Sequence, residues 1–317
     1  MSLTDILAVA IAILLGLWVL VSLKTSRPDG TLLKVHPFRR MMSFIMLGRN
    51  ESVVYFDDYI DVEKLRAYIA EAREHFPVDI THCTVAGVAL GLATAPKMNR
   101  FVVGHRLYQR KERWITFSMK RRKMDREAKL SAVKLDMPDG QTFRELAERI
   151  NGKVVIERSD RKTSFDVEMN ILSALPRAVL RFAVRLWRLA DYYNLLPGAL
   201  IRSDAMYTSV FVANLGSLRM GPGYHHLYEW GSCPLFLMIG QIEDRPVVRD
   251  GEVVVRPMMH VRFSYDERID DGLNARFGID TLRTVLEDPY TYLGCLQDDG
   301  RDARPLSDPV SVVYEQT

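Results

Sequence analysis

Three features of the sequence predict a mixed-sheet α/β domain preceded by one membrane-spanning helix. An uncharged apolar run opens the chain. Helical periodicity and strand-like runs are interspersed over the rest. Of 317 residues, 48% are hydrophobic and 26% charged, a balance that sustains a large packed interior and argues against disorder. Leaving aside about the first thirty residues, the chain fits one large α/β domain. The formal net charge of +3 is too small for a nucleic-acid binder. Cys83, Cys233 and Cys295 are widely separated and odd in number. They offer neither a disulfide framework nor zinc spacing, so no metal site and a reducing compartment are expected.

The first element is the membrane helix. Ile6 to Leu23 is a run of eighteen residues without a charge, and at 1.5 Å per residue it spans about 27 Å, close to the hydrocarbon thickness. A helix also pairs all of its own backbone polar groups, which a bilayer demands. A cleaved signal peptide would begin with basic residues and end on small ones. This chain begins MSLTD, with Asp5 as the early charge, and runs Leu20-Val21-Ser22-Leu23-Lys24. Lys24, Arg27, Lys34, Arg39 and Arg40 all follow the helix, which places the domain on the cytoplasmic side of a single-pass protein. The expected division is an anchor over 1–24 and a juxtamembrane linker over 25–34, with a turn at Pro28-Asp29-Gly30. The domain follows over 35–295, and a tail over 296–317.

Within the domain, Ser52 to Tyr59 reads as a strand. Asp61 is placed to cap a helix in which Val62, Leu65 and Ile69 recur at helical spacing, and Pro77 ends that segment. Thr81 to Ala95 is a more buried helix, with Val85, Val88, Ala89 and Ala93 inward. Pro96 to Asn99 closes it and Phe101-Val102-Val103 is extended. Trp114 to Met119 and Lys129 to Leu135 read as strands around a charged stretch. Thr142 and Glu145 fit a capping box, continued by Leu146 and Ile150. Asn170 to Tyr193 is helical, with a break at Pro176. Arg177, Arg181, Arg185 and Arg188 share one face and Val179, Phe182, Leu186 and Leu189 another. Such a helix either packs on the domain facing water or lies on an anionic membrane. Thr208 to Ala213, Phe236 to Gly240, Val253 to Val255 and Met259 to Tyr265 read as strands, and Asn274 to Leu286 as a closing helix.

From Asp204 to Pro289 the chain resembles the catalytic domain of the dihydrolipoamide acyltransferases, the E2 components of 2-oxoacid dehydrogenase complexes. The pieces fall in order: Val212-Ala213-Asn214-Leu215-Gly216, then Ile239-Gly240-Gln241-Ile242 through Pro246-Val247-Val248. Asp250-Gly251-Glu252 and Arg256-Pro257-Met258-Met259 follow, and then Phe263-Ser264-Tyr265-Asp266-Glu267-Arg268-Ile269-Asp270-Asp271-Gly272. Phe38-Arg39-Arg40, Asp61-Val62 and Pro96-Lys97-Met98-Asn99 extend the likeness over about residues 35 to 295. The resemblance implies the chloramphenicol acetyltransferase-like fold, a homotrimer and a substrate channel between subunits. There Ala213 of one subunit would approach Glu267 of the next.

Two positions depart from the family pattern. The family's motif carries a histidine that takes the proton of a coenzyme A or lipoyl thiol; the matching position is Glu267. Its serine or threonine that donates to the tetrahedral oxyanion is matched by Ala213. A thiol near pKa 8.5 gives its proton to a carboxylate near 4.3 only at a cost of about 6 kcal/mol. A methyl group donates nothing, and a lost oxyanion donor costs about 3–4 kcal/mol. Asp266 and Arg268 can pair structurally, while Asp271-Gly272 keeps the turn into the last helix.

Other groups are weighed against this site. His225-His226, after Gly221-Pro222-Gly223, could replace the base, bind a metal or remain ordinary loop residues. His260 could line the same cavity or be a hydrogen-bonded sheet residue. Cys233 has no Cys-His-Asp order around it. Lys120-Arg121-Arg122-Lys123, with Arg126, could meet a phosphate or simply solvate a loop. Gly-x-Ser-x-Gly and phosphate-loop motifs do not occur in the sequence. The expected function is a membrane-tethered, catalytically degenerate scaffold with a protein or lipid-associated partner. The alternative is an acyltransferase that uses a coenzyme A thioester, with Glu267 or a nearby histidine as base.

Overall fold

The computed structural model describes residues 2–121, 130–159, 174–297 and 299–312. Helix α1 (Leu3–Leu23) opens the chain. Ser2 and Asp5 form its capping box, and none of its side chains is buried. It is long and apolar enough to cross a membrane.

The domain is built on a six-stranded mixed sheet in the order β2-β9-β8-β7-β5-β6. Its strands are β2 (Val53–Asp61), β5 (Trp114–Lys120), β6 (Leu130–Asp136), β7 (Val210–Asn214), β8 (Leu235–Arg249) and β9 (Glu252–Asp266). Strand β7 runs parallel to β5 and β8, and the other pairings are antiparallel. A second sheet, β1-β4-β3, joins Gly30–Leu32, Arg106–Arg110 and Arg100–Val103.

Side chains alternate across each strand, and the two faces of the large sheet have different partners. Val210 and Val212 of β7 and Leu235, Leu237 and Ile239 of β8 enter the main core. They pack there with Leu65 and Ile69 of α3 (Glu63–Ala72), Val85 and Ala89 of α4 (Ile80–Thr94), Leu146 and Ile150 of α5 (Phe143–Arg158), and Leu282, Val285 and Leu286 of a C-terminal helix over Gly272–Glu287. Phe211, Ala213, Phe236 and Met238 point the other way into a smaller cluster. Helix α4 is apolar all round and its middle is sealed from solvent, because it lies between the sheet and the C-terminal helix.

Several elements differ from the sequence reading for identifiable reasons. Asp61 accepts from the Glu63 N–H at 3.1 Å, but the capping position itself is Val62. The cap of α4 is Asp79, whose carboxylate accepts from the Thr81 and His82 N–H groups. Thr142 and Glu145 form the expected capping box. The separate strands expected between Phe236 and Tyr265 are two continuous strands of 15 residues joined at Asp250-Gly251. Both turn residues have positive φ. Pro37–Ile45 forms a helix, α2, that periodicity over nine residues is too short to announce. The long helical stretch yields α6 (Arg177–Tyr192), and α7 (Gly198–Ser203) follows it. Residues 170–173 of that expected stretch lie outside the described residues.

The stretch expected as a linker is built into the domain. Arg27, Asp29 and Arg110 are buried and linked: Arg27 bonds Asp29 at 2.7 Å and Asp29 bonds Arg110 at 3.2 Å. Arg27 also reaches Asp191 at 2.8 Å. The end of α1 is held by Arg106, which donates to the Ser22 and Lys24 carbonyls, and by Asn194, which donates to Lys24. At the other end, Leu306 and Val310 of the expected tail enter the main core.

Candidate functional site

Ala213 sits near the end of β7, its Cα opposite Ser118 on β5 and Met238 on β8. It is 8% exposed and packs with Phe211, Leu227, Cys233, Phe236 and Met238. Residues 219–234, without regular structure, supply the cover: Leu227 and Cys233 belong to the cluster, and Tyr228 packs against it. The turn after β7 is kept. The Asn214 side chain accepts from the Ser217 N–H at 3.0 Å and donates to the Thr81 hydroxyl at 3.1 Å. Gly216 is required by close approach, since a Cβ there would meet the Gly240 carbonyl oxygen at 2.3 Å.

Glu267 lies in the turn after β9 and is partly exposed. Its backbone is fixed: its N–H donates to the Ser52 carbonyl at 3.0 Å and its carbonyl accepts from Arg39 at 2.9 Å. Among the described residues its carboxylate has no hydrogen-bond or ion-pair partner. The flanking pair is structural. Asp266, fully buried, takes two bonds from the Arg268 side chain, at 2.8 and 2.9 Å, and one from the Ser52 hydroxyl at 2.9 Å. Arg268 also donates to the Met46 and Leu47 carbonyls. Asp271 caps helix α8 (Gly272–Glu287) through the Asn274 N–H, and that bond holds its carboxyl below the usual range. Gly272 opens that helix with open space around it.

His225 and His226 lie in the cover over Ala213. Their rings stack at 4.9 Å, so they do not diverge as strand neighbours would. His225 also stacks on Phe236 at 3.9 Å. Burial pushes its imidazole below the ordinary value, which leaves it neutral at pH 7. The Nδ1 atom of each histidine lies within hydrogen-bond distance of the next residue's carbonyl. His260 is elsewhere on the same sheet face, bonded through Nε2 to Asp57 and stacked on Tyr59 at 4.2 Å. Arg262 pairs with Asp57 at 3.2 Å and lies over the Tyr224 ring at 3.9 Å. Sequence reading missed Asp57 as the partner of His260. The signal is strand register, because Asp57 faces Arg262 across the β2–β9 pairing.

Burial raises the Cys233 thiol to about 11, so it is not a nucleophilic thiolate. Of the basic run, residues 122–126 lie outside the described residues, and Arg121 pairs with Glu157 at 3.3 Å. No cluster of metal-ligating residues occurs among the described residues. A cavity of about 170 Å³ is lined by Arg49, Asp191, Trp187, Trp230 and Arg268 among others. Arg49 donates to the Tyr228 and Gly231 carbonyls, so both it and Arg268 are already engaged.

This arrangement is a mixed sheet of acyltransferase type, in which the end of β7 and the turn after β9 carry Ala213 and Glu267. The family model of the 2-oxoacid dehydrogenases acyltransferase (catalytic domain) matches residues 202–294. Over that segment the chain is similar to the E2 catalytic domains, and the whole domain has the chloramphenicol acetyltransferase-like fold. It is 51% identical over 51 residues to the dihydrolipoyllysine-residue succinyltransferase component of the Cupriavidus necator 2-oxoglutarate dehydrogenase complex, covering 16% of this chain and 12% of that protein. It is 26% identical over 141 residues to the acetyltransferase component of the Bacillus subtilis pyruvate dehydrogenase complex, covering 44% of this chain and 27% of that protein. A probable dihydrolipoamide acetyltransferase from Listeria monocytogenes shares the fold with TM-score 0.54 and 15% identity, covering 81% of this chain and 94% of that one. The Azotobacter vinelandii enzyme gives 0.53 and 16%, covering 82% and 94%. In its catalytic mechanism the roles of a serine, a histidine and an asparagine have been investigated.

Proposed function

We propose that the protein is a membrane-tethered binding module of acyltransferase fold that does not perform its relatives' thiol-dependent acyl transfer. The observation that carries this reading is the environment of Ala213. Where the family places a hydroxyl donor, this chain has a methyl group packed among Phe211, Leu227 and Met238. A tetrahedral oxyanion there would lose its side-chain donor and meet apolar atoms. Glu267 contributes its backbone to the fold and is a poor thiol base by its chemistry. Helix α1 supplies the tether, with the domain on the cytoplasmic side. Assembly as a homotrimer is supported by the β8–β9 hairpin, which leaves Val248, Val253 and Val255 about 70% exposed, an apolar strip suited to a neighbouring copy.

His225 favours a second reading. It is a neutral imidazole in the cover over the Ala213 cluster, and a neutral imidazole is a competent base. On that reading the protein transfers an acyl group from a coenzyme A thioester to a membrane-associated acceptor.

The detergent-solubilised protein, incubated with a panel of acyl-coenzyme A donors and membrane extract, separates the two. Free thiol release and acylated product are followed, beside Glu267→Gln, His225→Ala and His226→Ala variants. The module reading expects no product from any of them. Turnover by the native chain that disappears in Glu267→Gln or His225→Ala overturns it.

A further inference from the structure

Beyond the Trp187 and Asp191 side chains that it gives to the cavity above, helix α6 presents three distinct faces. Trp187 belongs to the face turned to the domain; its ring stacks on Trp230 at 5.5 Å and its indole donates to the Tyr207 hydroxyl at 3.2 Å. Arg177, Arg181, Arg185 and Arg188 form the second face, all exposed, and none makes an ion pair with a described residue. The third is an apolar stripe of Val179, Phe182, Leu186 and Leu189, between 47% and 67% exposed. Continuing the spacing of three and four residues, the stripe ends on Tyr193. That hydroxyl accepts a hydrogen bond from the Trp18 indole at 3.1 Å, in the last two turns of α1. One residue on, Asn194 holds the Lys24 carbonyl where the chain leaves α1.

We propose that α6 lies in the headgroup region of the same membrane that α1 spans, with its apolar stripe turned to the acyl-chain boundary and its arginines on anionic headgroups. This rests on the reading of α1 as a membrane span. Continuity carries the argument: the stripe ends at the point where the anchor meets the domain, and Trp18 with Tyr193 are residue types that favour the interface. Charge complementarity selects the occupant. A second copy of this chain would bring its own arginine row against this one, whereas anionic lipid supplies the counter-charge while long arginine side chains reach from the apolar boundary to the headgroups.

The three native cysteines are buried, so an introduced surface thiol can be labelled selectively. The full chain is reconstituted in phosphatidylcholine vesicles with and without phosphatidylglycerol. An environment-sensitive fluorophore is placed on Phe182→Cys, on Val9→Cys within the anchor, or on Glu148→Cys of α5 as the exposed reference. The expected result is a blue shift at Phe182→Cys and quenching by lipids carrying a shallow nitroxide, both larger with phosphatidylglycerol. Arg181→Glu with Arg185→Glu should reduce both, and the Glu148→Cys label should respond to neither lipid. If Val9→Cys is quenched by deep nitroxides while Phe182→Cys remains water-like, the docking is wrong and the anchor stands. A blue shift at Phe182→Cys without nitroxide quenching points to a second copy and also overturns the docking. If Val9→Cys escapes quenching as well, the anchor reading fails and the docking fails with it.

Discussion

At the scale of single residues, Ala213 and Glu267 were legible because they sit inside quotable motifs, but their surroundings were not. The apolar packing of Ala213 comes from Leu227 and Cys233, residues more than ten positions further along the chain, and no local pattern announces them. If these two changes alone removed the chemistry, Ala213→Ser combined with Glu267→His should restore thiol release above background. Each single replacement should stay near it, because a general base contributes about 10²–10⁴-fold and an oxyanion donor about 10²–10³-fold. A coupled thiol assay checks this; a silent double variant would mean that the cover over β7 itself closes the site. Gly216 makes a separate prediction. Its Cβ would collide with the Gly240 carbonyl, so Gly216→Ala should lower stability by about 1–3 kcal/mol, read from the urea midpoint in detergent.

At the scale of elements, periodicity located the long helices and the capping boxes, while strand pairing and short helices escaped it. Residues 27–32 illustrate why. Pro28-Asp29-Gly30 reads as an exposed turn, yet Asp29 is buried between Arg27 and Arg110. Only the fold brings β4 alongside. Asp29→Ala would leave buried Arg110 without a carboxylate and Arg27 with Asp191 alone, and should destabilise by about 3–5 kcal/mol, again measured by urea unfolding in detergent.

Lys134 of β6 gives a pH signature. Burial, reinforced by Arg110, draws its ammonium down to about 7, although it donates to the Ile201 and Asp204 carbonyls. A lysine whose folded value is depressed binds its proton less tightly folded than unfolded, so folding carries the full cost of that charge below pH 7. The cost is relieved as pH rises from about 7 towards the unfolded value near 10.4. The stability of the native chain relative to Lys134→Met should therefore improve between pH 7 and 9, and a flat difference would contradict the assignment.

At the scale of the whole molecule, two expectations follow from tether and assembly. If α1 spans a bilayer, the chain should remain in the membrane pellet after alkaline carbonate extraction. If the exposed hairpin valines meet a neighbouring copy, sedimentation in detergent should give about three times 36.3 kDa for the polypeptide, and Val253→Asp should shift it towards one copy. Recovery of a single copy from the native chain would remove the inter-subunit channel, and with it any approach of Glu267 to Ala213.

The sequence by itself determined the apolar helix, the α/β class and the resemblance that singles out Ala213 and Glu267, because each is written in local spacing or in a contiguous motif. Only the tertiary structure decided that Ala213 lies under residues 219–234, that Asp57 partners His260, and that the α6 stripe ends against α1. Those facts depend on which distant segments pack together, and a linear pattern records a residue's polarity without recording its neighbours in space.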